Sequence, residues 1–217
     1  MKDRYSYRLG MSYPNPGLEP ESAWNLDAGY AYMQGTRFQF RTSLFVSWLQ
    51  NTIQPVYEVD AVNSSVYQYR NTGNARFYGI ETDLAWSPFR GAEVGMQYTF
   101  IERQNLSHPE IRFTDLPRHK ASIFLDYSIL DMVDLNWSGL YNSPRNRTSD
   151  GLFQTDAFFT MDLTAVLRLH YFTFETGVIN LLDTSYSFME GYPAPGRRVQ
   201  VGMRHTFKSK HPSGRVQ

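Results

Sequence analysis

The feature that most constrains the fold is an alternation of apolar and polar residues that recurs along the whole chain. It is clearest near the C-terminus, in the stretches 161–168, 172–178 and 198–207. In the last of these, Val199 begins a set of alternate apolar residues, and Arg198 begins the interleaved polar set. A period of two residues is that of a β-strand with one apolar and one polar face. The sequence therefore predicts an all-β fold built from amphipathic strands.

The connections between the predicted strands are alternately short and long. The short ones lie at 34–36, 88–91, 130–132 and 169–171, and the long ones at 14–22, 51–74, 102–117, 142–156 and 183–196. An antiparallel meander with this alternation has short turns at one rim and long loops at the other, which is typical of outer-membrane β-barrels. We therefore predict an antiparallel transmembrane β-barrel of about ten meander strands. That count includes a partial strand at residues 4–13, and residues 51–74 are interpreted as a loop that could hold short strands.

Composition agrees with a barrel and excludes several other classes. The 217 residues carry 21 Lys+Arg and 21 Asp+Glu, and this balance argues against nucleic acid as the main partner. No run approaches the roughly 18 apolar residues that a membrane-spanning helix needs, whereas barrel strands expose apolar side chains only at alternate positions. The chain has no Cys, which excludes disulfides, thiolate metal sites and Cys nucleophiles.

Aromatic and charged residues occupy different parts of the predicted strands. Aromatic side chains on the apolar face lie near strand ends, where the interfacial girdles of a barrel belong: Trp24, Trp48, Tyr78, Trp86, Tyr127, Tyr141 and Phe207. The opposite face carries charges of both signs: Asp27, Arg37, Arg41, Glu81, Asp83, Lys120, Asp126, Asp162, Arg168, Glu175 and Arg204. We interpret these charges as a solvated inner wall rather than as a catalytic or binding cluster.

Several motifs, in a fixed order, resemble the second half of the barrel of TonB-dependent outer-membrane receptors. They are Asn15-Pro16-Gly17-Leu18-Glu19-Pro20-Glu21, Tyr78-Gly79-Ile80-Glu81, Leu116-Pro117-Arg118-His119, Asn180-Leu181-Leu182-Asp183 with Tyr186, Gly191-Tyr192-Pro193, Pro195-Gly196-Arg197 and a last strand that ends at Phe207. Leu182 stands where the family usually has Phe. In this family the final aromatic residue acts as an assembly signal, a role that the resemblance gives to Phe207.

The resemblance implies a 22-stranded barrel with a plugged lumen, of which this chain would be the C-terminal portion. We expect residues 1–207 to form that portion and residues 208–217 to be a disordered polar tail. No signal peptide is visible at the N-terminus, and we expect the chain to be a fragment of a longer outer-membrane protein. Its expected partners are outer-membrane lipid, the plug domain, the energy-transducing TonB complex and a small metal-chelate ligand.

The resemblance also implies a function, which is uptake of a siderophore, haem or cobalamin-like chelate without a bound cofactor. The candidate ligand residues are aromatic, basic and histidine side chains of the long loops: Tyr67, Tyr69, Arg70, His108, Tyr141, Arg145, Arg147, Phe153, Tyr186 and Tyr192. The histidines lack metal-ligand spacing, and no nucleophile motif supports an enzyme. Two alternatives stay open: a self-contained small barrel with a structural or adhesion role, and an outer-membrane phospholipase.

Overall fold

The computed structural model describes residues 2–5, 7, 10, 12–57, 66–189 and 192–207. Their elements, in chain order, are α1 (Lys2–Tyr5), β1 (Ser12–Tyr13), β2 (Ser22–Gln34), β3 (Phe38–Gln50), β4 (Ile53–Tyr57), β5 (Tyr67–Asn71), β6 (Ala75–Trp86), β7 (Ala92–Asn105), β8 (His119–Ile129), β9 (Val133–Asn142), β10 (Arg145–Asn146), β11 (Gln154–Thr155), β12 (Phe158–Arg168), β13 (Phe172–Ile179), β14 (Ser187–Met189), β15 (Tyr192–Pro193) and β16 (Arg198–His205). The predicted tail at 208–217 lies outside the described residues. No helix in the described part of the chain is long and apolar enough to cross a membrane.

One antiparallel meander of nine strands forms the body of the molecule. Its order is β2-β3-β6-β7-β8-β9-β12-β13-β16, so every strand pairs with the next long strand in sequence. The predicted all-β antiparallel meander is therefore confirmed. Within the described residues, β2 and β16 are the two edges of this sheet and do not pair with each other, so it does not form the closed ten-stranded barrel of the self-contained alternative.

The meander has nine strands, close to the expected count of about ten, which included a partial strand at residues 4–13. The described residues of that stretch do not join the meander, because Lys2–Tyr5 is a helical turn and Ser12–Tyr13 pairs in parallel with β5. The Arg4 guanidinium donates to the carbonyl of Leu18 at 2.6 Å, which folds this segment back over the loop that follows it. Pro14 and Pro16 lack an N–H group, so the chain there cannot continue a ladder.

The register places most of the apolar residues of the nine strands on one face. Leu26, Val46 and Tyr78 lie side by side on β2, β3 and β6, and Trp137 and Leu163 do so on β9 and β12. These side chains are not buried by protein: Leu44 is 58% exposed and Val201 is 81% exposed. An apolar face of this extent requires an apolar surrounding such as lipid.

The opposite face is polar, as the alternation predicts. All of the charged residues expected there lie on it except Arg37, which lies in a turn. Arg41 pairs across strands with Asp83, Asn136 donates to Asp126 at 2.6 Å, and Arg168 forms an ion pair with Asp134. Charges of both signs are thus matched locally along this wall.

Two inclined lines of aromatic residues border the apolar face. Near the long loops the line begins with the cross-strand pair Trp24 and Trp48 and continues through Tyr78 to Tyr141. Near the short turns the other line holds Phe38, Trp86 and Tyr127 and continues to Phe172, among others. The lines descend together from β2 to β16, as expected for strands that are tilted in a membrane.

The Asn180–Asp183 motif forms a compact turn that orients the last long loop. Asn180 is 2% exposed and adopts φ 54°, and Asp183 also adopts φ 54°. The Asn180 amide donates to Thr184 O and accepts from Thr184 N, each at 2.9 Å, and Asp183 accepts the N–H of Arg197 at 2.7 Å. Asn and Asp tolerate this left-handed conformation better than other non-glycine residues. Leu182 is 50% exposed, so a smaller side chain fits where the family usually has Phe.

Candidate ligand-binding surface

The long connections all lie at one rim and join into a continuous layer, which we call the loop layer (residues 12–21, 51–57, 66–74, 106–118, 143–157, 180–189 and 192–197). Its first part is an antiparallel hairpin of β4 and β5, to which β1 adds a parallel strand. Asn15 donates to the carbonyl of Tyr69, and Gln68 donates to that of Pro14, both at 2.9 Å. The hairpin is therefore fixed to the segment before β2.

A buried polar cluster, formed by Gln54, Thr72 and Asn105, attaches the hairpin to the end of β7. The Gln54 side-chain oxygen accepts from Thr72 Oγ1 at 2.5 Å and from Asn105 Nδ2 at 2.8 Å. The Asn105 side-chain oxygen accepts the N–H of His108 at 2.7 Å. All three side chains are less than 9% exposed, so their hydrogen bonds are shielded from water. This cluster sets the position of the loop that begins at residue 106.

The remaining loops are joined through Ser149. Its hydroxyl accepts the N–H of Tyr57 at 3.2 Å, and its carbonyl accepts the N–H of Arg112 at 2.6 Å. Further along, the Arg145 guanidinium donates to the carbonyl of Ser187. All five long connections are thus joined by hydrogen bonds, each to the next in sequence, and the layer forms a single surface.

A cavity of about 800 Å³ opens in this layer, between the end of β7, the loop 106–118 and residues 143–146. It exists because β7 continues to Asn105, whereas its neighbour β8 begins only at His119, opposite Phe100. Four arginines and one carboxylate contribute to its lining: Arg103, Arg112, Arg118, Arg145 and Glu102. The excess of guanidinium groups makes the cavity suited to an anion.

The arginines of the cavity have different roles. Arg103 donates to the carbonyls of Thr114 and Leu116, at 3.2 and 3.0 Å, and so holds the loop in place. Arg118 forms an ion pair with Glu102. Arg112 is exposed, and its guanidinium makes no hydrogen bond or ion pair within the part of the chain that the structure describes. Arg112 is therefore the cation most available to a ligand.

Two carboxylates of the loop layer are held in the ionised form. A hydrogen bond from a backbone N–H lowers the pKa of Glu110, and a hydrogen bond from His108 lowers it to a smaller extent. The hydroxyl of Thr148, and then the N–H of Leu152, lower the pKa of Asp150 by donating to its carboxylate. Both groups are solvent-exposed, so they stabilise local turns rather than the whole fold. In the described residues, no group of three or more His, Asp or Glu side chains could hold a metal ion.

Comparison with known proteins identifies the family. Residues 3–181 match the family described as "TonB dependent receptor-like, beta-barrel". The chain belongs to this family. The predicted TonB-dependent receptor fold is confirmed, and so is the location in the outer membrane, because the family consists of outer-membrane receptors that are not enzymes.

Individual relatives of this TonB-dependent receptor chain agree with the family assignment. An iron-regulated outer membrane virulence protein of Vibrio cholerae is 24% identical over 214 residues, which cover 91% of this chain and 33% of the relative. Among solved structures, the copper transporter OprC has a TM-score of 0.73 at 20% identity, over 88% of this chain and 32% of that one. A ferric enterobactin receptor from Pseudomonas aeruginosa has a TM-score of 0.68 at 19% identity, over 90% and 32%. The chain thus spans about a third of the length of these receptors.

The structure brings some of the predicted ligand residues of this receptor barrel together. Tyr67 and Tyr69 lie on β5 with ring centroids 5.5 Å apart, and the Tyr57 ring packs against that of Tyr67 in a tilted arrangement, with centroids 5.3 Å apart. Arg70 follows on the same strand and donates to Gln68 at 2.8 Å. His108 lies in the neighbouring loop, 3.2 Å from Glu110. Tyr57, Tyr67 and Tyr69 form one aromatic patch of the loop layer. Arg70 is the next residue after Tyr69 and points to the opposite face of β5, and His108 lies in the following loop.

Other predicted residues lie elsewhere. Tyr186 packs on Phe158 at 4.6 Å in a separate aromatic cluster, and Arg145 is 7% exposed and bonded to Ser187, so its role is structural. Tyr141 faces the apolar side between Ala121 and Phe159, away from the loop layer. Arg147, Phe153 and Tyr192 are the remaining three predicted residues. The Arg147 N–H donates to the carbonyl of Phe153 at 2.8 Å. Phe153 is 54% exposed and Tyr192 is 72% exposed.

Sequence reasoning missed several residues of this surface. Tyr57 could have been found by residue type, because it is an aromatic residue of a long connection like Tyr67 and Tyr69. Arg103 and Arg112 had no such signal, because they converge on the cavity only through the unequal lengths of β7 and β8. We could not have inferred that inequality from the strand pattern.

Proposed function

We propose that this chain forms part of the barrel wall and outer loops of a receptor that imports an anionic metal chelate. The cavity with four arginines and one carboxylate carries the proposal, because it would receive the negatively charged groups of the chelate. The aromatic patch in the same loop layer supplies flat surfaces for the planar parts of such a ligand. The candidate ligand classes are siderophore complexes, haem and cobalamin-like cofactors, and the similarity to a ferric enterobactin receptor favours a siderophore.

Import through a plugged barrel needs parts beyond those described here. A plug domain would close the lumen beside the polar wall, and the TonB complex of the inner membrane would supply the energy for moving it. In this scheme the chain provides a rigid wall and a preformed capture surface. Because the loops are already joined by hydrogen bonds, capture would need little ordering of the loops, which favours affinity.

The capture step can be tested by measuring the binding of a ferric tris-catecholate complex to the complete outer-membrane protein that carries this chain. Arg112→Gln removes one unpaired cation and should weaken binding by about tenfold. Arg37→Gln is the matched control, because Arg37 lies in a short turn at the opposite rim. Equal affinities for the two variants and the unmodified protein would contradict an anionic ligand in this cavity.

The transport step needs a separate measurement. Uptake of the radiolabelled chelate by cells should stop when the energy-transducing complex is deleted, while binding at the cell surface should persist. Uptake that continues unchanged without the complex would exclude TonB-dependent transport. Absence of both binding and uptake for every chelate class would contradict the proposed import role.

A further inference from the structure

A second recess lies on the apolar face of the sheet, away from the loop layer. It measures about 440 Å³ and is lined mainly by aliphatic and aromatic side chains of β2, β3, β6 and β7, which include Leu26, Ala28, Leu44, Val46, Ile80 and Phe100. The recess forms beside Ala28, whose side chain is small next to those of these neighbours. We call it the apolar groove.

The apolar groove ends directly below a charged side chain. Tyr78, which lines the groove, is followed along the same face of β6 by Arg76, whose guanidinium carbon lies 5.5 Å from the centre of the Tyr78 ring. Arg76 pairs across strands with Trp48, which in turn pairs with Trp24. These tryptophans belong to the aromatic line near the long loops, so Arg76 lies at the height of the lipid headgroups.

Arg76 keeps hydrogen-bonding capacity for a ligand. Its Nη2 donates to the neutral side chain of Gln104 at 2.8 Å, and its Nε is buried without a partner among the described residues. Its Nη1 makes no hydrogen bond among these residues and is the nitrogen left for a ligand. The nearest charges on the same face are Glu102 and Arg118, which form an ion pair with each other. The group as a whole therefore carries one net positive charge above an apolar groove.

We propose that the apolar groove and Arg76 together form a binding site for one phosphorylated membrane lipid. The acyl chain would lie in the groove, against Leu44 and Ile80, and the phosphate would accept hydrogen bonds from the Arg76 guanidinium. A guanidinium matches a phosphate well because it can donate two parallel hydrogen bonds. This site is independent of the chelate proposed for the loop layer.

The choice of a lipid follows from the two halves of the site. A soluble anion would use Arg76 but leave the groove empty, and an uncharged acyl chain would use the groove but leave Arg76 with its neutral partner. A phosphorylated lipid satisfies both, and it is present wherever the apolar face meets a membrane. The height of Arg76 at the aromatic line matches the distance between a headgroup phosphate and the start of its chains.

The experiment uses the complete outer-membrane protein that carries this chain, delipidated in a mild non-ionic detergent and examined by native mass spectrometry. Phosphatidylglycerol is added as the probe, and diacylglycerol with the same chains and inorganic phosphate are added in parallel. We expect one molecule of phosphatidylglycerol to bind in preference to diacylglycerol. Arg76→Gln should weaken this binding by about tenfold, and Ala28→Phe, which fills the groove, should reduce it to a similar extent.

Two matched controls keep the test specific. Ala165→Phe adds the same ring to the same apolar face on β12, and Arg37→Gln removes an arginine at the opposite rim; both should bind phosphatidylglycerol as the unmodified protein does. If Ala28→Phe fails to assemble, Ala28→Leu replaces it. Equal binding of diacylglycerol, or no effect of Arg76→Gln, would overturn the proposal. Competition by inorganic phosphate with no effect at Ala28 would reassign the site to free phosphate.

Discussion

At the scale of single residues, two glycines of the polar face are covered by phenylalanine rings on the neighbouring strand. Gly95 pairs across strands with Phe124, whose ring stands where a Cβ atom at position 95 would lie. Gly79 is covered in the same way by Phe45, with a ring carbon 2.7 Å from the Cβ position. A glycine in a strand commonly marks such a close approach.

We predict that Gly95→Ala destabilises the protein by about 1–3 kcal/mol, because the added methyl group displaces the Phe124 ring. The free energy of unfolding in detergent, measured with urea, would show it. Gly29→Ala is the matched control, since its nearest contact would be Thr42 O at an ordinary 3.6 Å. Phe124→Leu in the Gly95→Ala background should restore part of the loss, and strictly additive effects would contradict a direct clash.

Residue types explain why the faces were predictable and some turns were not. The period-two pattern assigns Leu163 and Asp162 to opposite faces without any knowledge of packing, and the register agrees. By contrast, Leu130 and Asp131 adopt φ 50° and 55°, a left-handed pair that closes β8 onto β9. Sequences that favour this turn usually contain Asn or Gly, so the location of the turn was predictable and its conformation was not.

At the scale of elements, the buried polar cluster determines the order of the β4–β5 hairpin. We predict that Asn105→Ala increases amide hydrogen exchange across β4 and β5 and lowers stability by about 1–3 kcal/mol. The reason is that Gln54 and the N–H of His108 each lose a hydrogen-bond partner in a buried site. Hydrogen-exchange mass spectrometry of the complete protein measures the effect peptide by peptide.

The control for the hairpin prediction is Asn74→Ala. Asn74 lies at the same rim and is exposed, and its side chain makes no hydrogen bond within the described part of the chain. Asn74→Ala should leave amide hydrogen exchange in β4 and β5 unchanged. Asn105→Asp, which keeps the side-chain acceptor for His108, should give an intermediate increase. Equal exchange in Asn105→Ala and the unmodified protein would show that other contacts order the hairpin.

The turn at residues 148–153 should open in acid. The pKa of Asp150 lies below its usual range, so its carboxylate stabilises this turn above the pKa of an unfolded Asp, about 4. That stabilisation is lost as the pH falls through the lower, folded pKa. Protection of the Leu152 amide from hydrogen exchange should therefore decrease on acidification. Asp150→Asn cannot titrate and should show no such decrease, and the same decrease in both proteins would assign it to another group.

The elements of the loop layer show the limit of pattern-based prediction. The hairpin at 53–71 was expected only as short strands within a long loop, because Pro55 and the polar residues around it interrupt the alternation. Its position depends on tertiary hydrogen bonds such as those of Gln54 and Asn105. The candidate residues Tyr67 and Tyr69 could be found by residue type, but their proximity to Tyr57 depends on the β4–β5 pairing.

At the scale of the whole molecule, the main inference is that one face of the nine-stranded sheet meets lipid and the other meets water. The two aromatic lines and the exposed apolar side chains between them support this arrangement. The absence of cysteine from the chain makes it directly testable, because a cysteine introduced here for labelling has no competitor within these 217 residues.

We predict that nitroxide labels on β12 and β8 alternate in their surroundings with a period of two. Labels at Leu163 and Leu125 should be more accessible to oxygen, which concentrates in lipid, and labels at Asp162 and Asp126 should be more accessible to a water-soluble nickel complex. Labels at Trp24 and Trp86, on the two aromatic lines, should both be shallow, whereas Leu163 should lie near the centre of the bilayer. The register fixes the face of every side chain of a strand at once, so one inverted pair of labels would mean that the whole strand is assigned to the wrong face. Uniform accessibility of the labels would mean that the apolar face is covered by protein instead of lipid.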